Sequence, residues 1–422
     1  MKLKHLKIHQ YRNVRPGTEL RFDDGINLVL GQNGSGKTTL LGLISCVASN
    51  DLSPLKSEVF DIEYTLDADP FLATFRISNL AAGDDSRGPQ EPAFKYDVRL
   101  ARHDVTAKCT ITGTPSETTV FDGSKSHLLP SASPFRVGFL FPNFVDRASP
   151  FHAAPPRLLL PDLSRFDESL DAYLAMTGRA PVSQNAGAPA IAKVDIVQTG
   201  EHITPRRSTF FPLDTAPLVP LAHKSPAGEL WVTPEPDASV NRPGLKFLGD
   251  VAALIGFRSA TWAPLIRQSK VPPSGGSRSY EVQGSAFTFT RHNGDTIDQD
   301  LLSYGQKRLL AFYYYLATAE HFVIADELVN GLHHRWIAAC MEAIGDRQAF
   351  LTSQNPLLFE YVEFDSIEQV QSCFINCKSE LVDGAEQLVW QNMPRDDAER
   401  FYRGYEADIE SIGDILINRG LW

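Results

Sequence analysis

Three observations in the 422-residue chain predict an α/β fold with a mixed sheet, flanking helices and a large insertion. The runs "LKHLKI", "INLVL", "DIEYTL", "ATFRI" and "KYDVRL" alternate apolar and polar residues within residues 1–115, the period of half-buried strands. The Gly-rich "GQNGSG" sits between the apolar "INLVL" and the apolar "TLLGLISCVA", a strand–loop–helix order. Regular patterning then lapses and resumes near residue 281, where "SAFTFTR", "HFVIADE" and "QAFLTSQNP" read as strands, the last two buried on both faces. The expected domains are an N-terminal lobe (1–115), an inserted region (116–280) and a C-terminal lobe (281–422).

The insertion carries most of the chain's 28 prolines, in segments such as "SPFHAAPPRLLLPDLS" and "TPRRSTFFPLDTAPLVP". Proline removes a backbone donor and blocks helix interiors, which excludes a long coiled coil here. Two short helices are expected, at "FDESLDAYLAM" and "FLGDVAALIGF", while "SQNAGAPA" and "VPPSGGSRS" have a composition that favours disorder. The tail "ERFYRGYEADIESIGDILINRGLW" reads as helical.

The net charge of −11 argues against a surface coated for nonspecific nucleic-acid binding, although a local basic groove is a separate matter. The N-terminal run holds Lys2, Lys4, Lys7, Arg12, Arg15 and Arg21 against Glu19. A solvated strand face is its simpler reading, and a DNA-binding groove the alternative. No apolar run reaches the ~18 residues of a membrane-spanning helix, and the first residues lack a signal-peptide core. The five scattered cysteines fit a reducing cytoplasm. Cys373 and Cys377 lack zinc-site spacing, so no metal is expected there.

The chemistry concentrates in three motifs. "GQNGSGKT", Gly31–Thr38, fits the phosphate-loop pattern in its required context. Asn33, Gly34, Ser35 and Gly36 let backbone N–H groups curl around phosphates, Lys37 supplies a point charge, and Thr38 offers its hydroxyl to Mg²⁺; Thr39 completes the nucleotide-binding set. "HFVIADE" ends a buried strand on Asp326, suited to hold Mg²⁺ through water, and Glu327, suited to act as general base on an attacking water. "LLSYGQKRLL" places Ser303 and Gly305 at the start of a helix, whose N-terminus favours an anion.

In their order along the chain, "GQNGSGKT", "LSYGQ", "FVIADE" and "LVNGLHH" resemble the motifs of ABC-type ATPases. The early P-loop, the distant signature and the "GLH" after Glu327 are similar to the RecF, SMC and OLD-like branch, including AAA-family ATPases of anti-phage systems such as PARIS and Septu. The similarity spans roughly residues 1–80 and 285–360. It implies ATP and Mg²⁺ as ligands and a homodimer or higher homo-oligomer with composite sites. In that arrangement Ser303 and Gly305 close over a nucleotide held by another subunit.

It also implies that Arg12 and Asn13 reach the nucleotide, that Asn330–His333 form the segment crossing the dimer interface, and that Gln354 in "SQNP" replaces a switch histidine. Glutamine cannot become cationic, so slow hydrolysis is expected. Asn143 in "FLFPNF" is a candidate for the glutamine-loop position. The roughly 65 residues after "SQNP" are too few for the Toprim nuclease domain of OLD enzymes. The expected role is therefore a switch controlling a separate effector, a nuclease or similar, in bacterial antiviral defence or DNA surveillance. A RecF-like repair ATPase that binds DNA and a nucleotide-gated scaffold with little hydrolysis are the alternatives.

Overall fold

The computed structural model of the protein describes residues 2–48, 57–68, 71–79, 95–102, 105–114, 117–121, 126–129, 246–268, 280–318, 321–353 and 356–407, with a few isolated stretches besides. Gln354, Asn143, "FDESLDAYLAM", most of the Pro-rich insertion and the terminal Leu421-Trp422 lie outside them. The chain forms two compact units. The first draws on residues 1–183, 321–324 and 346–422, the second on residues 184–320 and 325–345.

The first unit opens with an eight-stranded antiparallel sheet. Its strands are β1 (Lys2–Tyr11), β2 (Thr18–Arg21), β4 (Phe60–Ala68), β5 (Phe71–Asn79), β6 (Lys95–Arg102), β7 (Val105–Thr114), β8 (Glu117–Phe121) and β9 (Ser126–Leu129), in the order β2-β1-β4-β5-β6-β7-β8-β9. Leu3, Leu6, Ile8 and Tyr11 of β1 are buried. Their spacing is not strictly two because register shifts between Leu3 and His5 and between Ile8 and Gln10 each insert an extra residue, as β-bulges do. Four of the six basic residues of the N-terminal run form ion pairs within the unit: Lys4 with Asp24, Lys7 with Glu19, Arg12 with Glu58 and Arg15 with Glu380.

Between these strands run β3 (Ile26–Leu30) and α1 (Lys37–Ala48). Leu28, Val29 and Leu30 are at most 2 % exposed, which makes β3 a core strand, as "INLVL" predicts.

The second unit contains α2 (Lys246–Leu254), the antiparallel strands β10 (Ser259–Gln268), β11 (Tyr280–Thr290) and β12 (Thr296–Asp298), and helices α3 (Tyr304–Thr318) and α4 (His334–Ile344). The readings of "FLGDVAALIGF" as helix and "SAFTFTR" as strand agree with α2 and β11. Three contacts bind these elements. Trp336 Nε1 donates to the Leu254 carbonyl at 3.2 Å, Gln306 Nε2 to the Ile255 carbonyl at 3.3 Å, and Tyr313 Oη to the Ala339 carbonyl at 3.2 Å.

The first unit's second sheet is built around β3. Strands β13 (Phe322–Ala325), β14 (Gln348–Leu351), β15 (Phe374–Val382) and β16 (Ala385–Asn392) take the order β13-β14-β3-β15-β16. Both neighbours of β3 run parallel to it, whereas β15 and β16 form an antiparallel hairpin. The sheet is mixed, as expected of an ABC-type ATPase head. Every residue of β13 and β14 is buried.

Gln348 ties β1 to this sheet. Its Nε2 donates to the carbonyls of Leu3 (2.8 Å) and Asp23 (2.6 Å), and its Oε1 accepts from Leu3 N at 2.7 Å. A fully buried amide is tolerable because its polar atoms are satisfied. Helices α5 (Ile367–Cys373) and α6 (Arg395–Glu406) follow, and Phe364 stacks on Phe374 while Phe401 meets both edge-on, with ring centroids 5.0 to 5.4 Å apart. The tail is helical through Glu406.

Candidate functional site

Gly31–Thr38 forms the turn from β3 into α1. Gly31, Gly34 and Gly36 have φ of 143°, 87° and 84°, a region that L side chains rarely adopt. Gly31 and Gly36 are also sterically required. A Cβ on Gly31 would collide with the Cys377 carbonyl oxygen, and one on Gly36 would stand 2.7 Å from Leu388 Cδ1. Lys37, the first residue of α1, curls over the loop and donates to the carbonyls of Gly31 at 2.6 Å and Gln32 at 3.1 Å. Its ammonium is thereby held within the turn whose glycines shape the anion cradle.

A cavity of about 260 Å³ opens between the loop and the start of the β15–β16 hairpin, lined by Gly31, Asn33, Ser35, Asn376 and Cys377 among others. Ser35 Oγ and Asn376 Oδ1 are buried there with no hydrogen-bond partner among the described residues. Buried polar atoms of this kind cost free energy unless something bonds them: the Ser35 hydroxyl can donate to a phosphate oxygen, whereas Asn376 Oδ1, an acceptor, needs a donor such as a nucleotide hydroxyl or a water. Trp390 Nε1 donates to the Ser35 carbonyl at 3.3 Å and so braces the loop from behind. Burial pushes the Cys377 thiol up to about 12, with the Lys37 ammonium opposing, so it lines the cavity as a neutral group.

Asn376, Leu388 and Trp390 were not singled out by sequence. The hairpin that carries them had a signal, the Asp-Gly turn at Asp383-Gly384 in "FINCKSELVDGAEQLVWQN", but their approach to the loop had none. Arg12 has φ 46° and makes a two-toothed ion pair with Glu58, at 2.7 Å through Nε. Asn13 accepts at its carbonyl from Leu388 N at 2.8 Å, and its Nδ2 donates to the Glu386 carbonyl at 3.2 Å. The Arg12-Asn13 turn is thus attached to the same hairpin that backs Gly36.

The other named residues belong to the second unit. Ser303 caps α3. Its Oγ accepts from Gln306 N at 3.4 Å while Gln306 Oε1 accepts from Ser303 N at 2.9 Å, a reciprocal capping box. A Cβ on Gly305 would lie 2.7 Å from the Gly331 carbonyl oxygen and 2.9 Å from Trp336, so the signature turn packs directly on the Asn330–His333 segment. His333 caps α4, its Nδ1 accepting from Arg335 N at 3.4 Å.

Asp326 and Glu327 follow β13 without a break; Asp326 is 7 % exposed. Glu327 has φ 54°, a conformation that costs a non-glycine residue about 1–2 kcal/mol. Its carboxylate accepts from Asn330 Nδ2, and its carbonyl accepts from Asn330 N at 3.3 Å and from Arg308 Nη2 at 2.6 Å. Arg308 was not anticipated from the sequence.

Among the described residues no group of three or more His, Cys, Asp or Glu could hold a metal by itself. Mg²⁺ needs no such group, because it keeps several waters and takes phosphate oxygens. No helix among the described residues is long and apolar enough to cross a membrane.

Residues 26–360 match the family described as "AAA domain, putative AbiEii toxin, Type IV TA system". The chain belongs to this family and is an ABC-type P-loop ATPase by its motifs and its mixed sheet. Short segments are similar to the DNA replication and repair protein RecF of Teredinibacter turnerae (50 % identical over 46 residues) and of Psychromonas ingrahamii (54 % over 44 residues). These segments are 11 % and 10 % of this chain, and the chain spans only 12 % of either relative. The SMC head domain from Thermotoga maritima matches over 93 % of this chain and 100 % of its own at 12 % identity, with a TM-score of 0.36. At that score the fold assignment stands on strand order and motif positions instead.

Proposed function

We propose that this protein is an ATP-driven molecular switch that binds MgATP on Gly31–Thr39, hydrolyses it slowly and controls a separate effector. The reading is carried by the loop itself: Lys37 is drawn over Gly31 and Gln32 at the start of α1, between glycines at positive φ and beside the unpartnered Ser35 Oγ and Asn376 Oδ1. Lys37 and the loop amides would hold the β- and γ-phosphates. Thr38 and Asp326 would hold Mg²⁺, which when bound neutralises phosphate charge.

Glu327 would orient the attacking water and take its proton as the water oxygen bonds to the γ-phosphorus and ADP leaves. Ser303 and Gly305, on a capped helix N-terminus, suit a γ-phosphate held by a second copy, which makes ATP the ligand that closes a dimer or larger assembly. Gln354 in place of histidine favours slow turnover and a long-lived closed state. The family's description as a putative toxin of a toxin–antitoxin system supports a role in bacterial defence; control of an effector on another protein and a cytoplasmic location belong to the same proposal.

The test is steady-state hydrolysis by the wild type, Lys37→Ala and Glu327→Gln. Turnover below about 10 per second, abolished by either substitution, supports the reading. Faster turnover sinks the slow-switch claim, and indifference to Glu327→Gln turns the protein into a nucleotide-gated scaffold. A second reading, DNA surveillance or repair, is favoured by the RecF-like segments. It requires hydrolysis stimulated by DNA, with an effect that falls steeply with salt.

A further inference from the structure

Arg308 is only 6 % exposed and lies on α3, one turn beyond the Ser303–Gly305 signature. Its Nη2 donates to two successive carbonyls, Glu327 at 2.6 Å and Leu328 at 2.9 Å. Its Nη1 donates to the Tyr304 hydroxyl at 3.2 Å, and its guanidinium stands 5.6 Å from the Tyr304 ring centroid. Nε has no partner among the described residues. A cation buried this deeply is costly unless its hydrogen bonds need it, and an apolar side chain would fill the same space.

What it bonds is the backbone of Glu327 and its successor, at one of three non-glycine residues described with positive φ. Left-handed backbone at such a position persists only where surrounding contacts over-determine it. Arg308 and Asn330 are those contacts. The same side chain reaches back to Tyr304, the middle residue of the signature turn.

Resting on the hydrolytic reading above, we infer that Arg308 is a positioning residue for Glu327. It locks the left-handed turn, and so fixes where the carboxylate points. It also links that direction to the signature turn at the head of its own helix. Contact of Ser303 and Gly305 with a nucleotide can thereby be relayed to the general base through a single side chain. Lysine replaces only part of it, because one ammonium cannot present the planar fork that serves two carbonyls and a phenol at once.

The experiment compares Arg308→Ala, Arg308→Lys and Arg308→Met with wild type and Glu327→Gln. It reads kcat and KM separately, the amide hydrogen exchange of residues 326–331, and rescue by low-millimolar guanidinium. The expected result is a fall in kcat of roughly 10- to 100-fold with KM within about 2-fold. Exchange across 326–331 should be faster, Arg308→Lys intermediate, and Arg308→Ala partly restored by guanidinium. If Arg308→Ala does not fold, the lysine and methionine variants decide.

Wild-type kcat and unchanged exchange in folded variants would overturn the inference. So would a parallel loss of kcat, KM and thermal stability that guanidinium does not restore, since that marks a purely structural role. Hydrolysis by the wild type that does not depend on Glu327 overturns the hydrolytic reading separately. The exchange data still decide whether Arg308 holds the turn.

Discussion

Tyr304 and Gly331 are in direct contact: a Cβ on Gly331 would stand 2.7 Å from Tyr304 Cε1 and 2.8 Å from Cδ1, at a backbone φ of 73°. The middle residue of the signature turn therefore rests on the segment after Glu327. Gly331→Ala is expected to destabilise the protein by about 1–3 kcal/mol, read as a lower unfolding temperature. Adding Tyr304→Ala relieves the clash but not the positive φ, so the double variant should recover only part of the loss. Wild-type stability in Gly331→Ala would show that the contact is loose.

The P-loop yields two separable effects. Lys37→Ala should keep the fold, because its partners are loop carbonyls at the surface of the turn, while MgATP affinity measured by calorimetry falls at least ~100-fold, about 2.7 kcal/mol. Gly36→Ala should lose both affinity and stability, since its Cβ meets Leu388 and Trp390 at φ 84°. Equal behaviour of the two variants would contradict this division.

Gln348 makes three hydrogen bonds to main-chain groups of Leu3 and Asp23. Gln348→Leu removes these bonds from the Leu3 amide and carbonyl, while the Asp23 carbonyl keeps its bond from Asn27 Nδ2 at 2.9 Å, at a cost of roughly 1–3 kcal/mol. Urea denaturation should show a lower midpoint with an unchanged slope. An unshifted midpoint would mean that water replaces the amide.

Alkaline pH should weaken the fold through its buried thiols. Burial raises Cys340, Cys373 and Cys377 well above the usual thiol range, Cys377 to about 12. An acid raised in the folded state binds more protons folded than unfolded, so its contribution is complete below the unfolded value near 8.5 and is lost as pH climbs towards the folded one. Stability measured between about pH 9 and 12 should decline, and Cys377→Ala should flatten that decline. A pH-independent plateau would contradict the burial of these groups.

The phosphate loop, the buried strands at 322–325 and 348–351 and the helix after Ser303 were legible in the sequence because each is a local pattern: glycines at fixed spacing, an apolar run, a Ser-x-Gly turn before apolar residues. The β15–β16 hairpin was equally local, with Asp383-Gly384 at its tip, but its strands mix polar and apolar residues on an exposed end and yield no clean alternation. Trp390 behind the loop and Arg308 behind Glu327 were not legible. Their roles arise from contacts 355 and 19 residues apart in sequence, and a lone Trp in a strand or Arg in a helix carries no sign of its target. The β1 alternation was blurred for a similar reason, since its bulges are set by pairing with β4.

On the proposed function, ATP closes two copies of this chain, with Ser303 and Gly305 of one meeting the nucleotide of the other. The most direct test is the molar mass in solution, by light scattering, of wild type and Glu327→Gln with and without MgATP. The account predicts that MgATP drives Glu327→Gln into a stable dimer or larger assembly, and that Ser303→Arg in the same background abolishes the shift while nucleotide still binds. A protein that binds MgATP yet stays a monomer would contradict it.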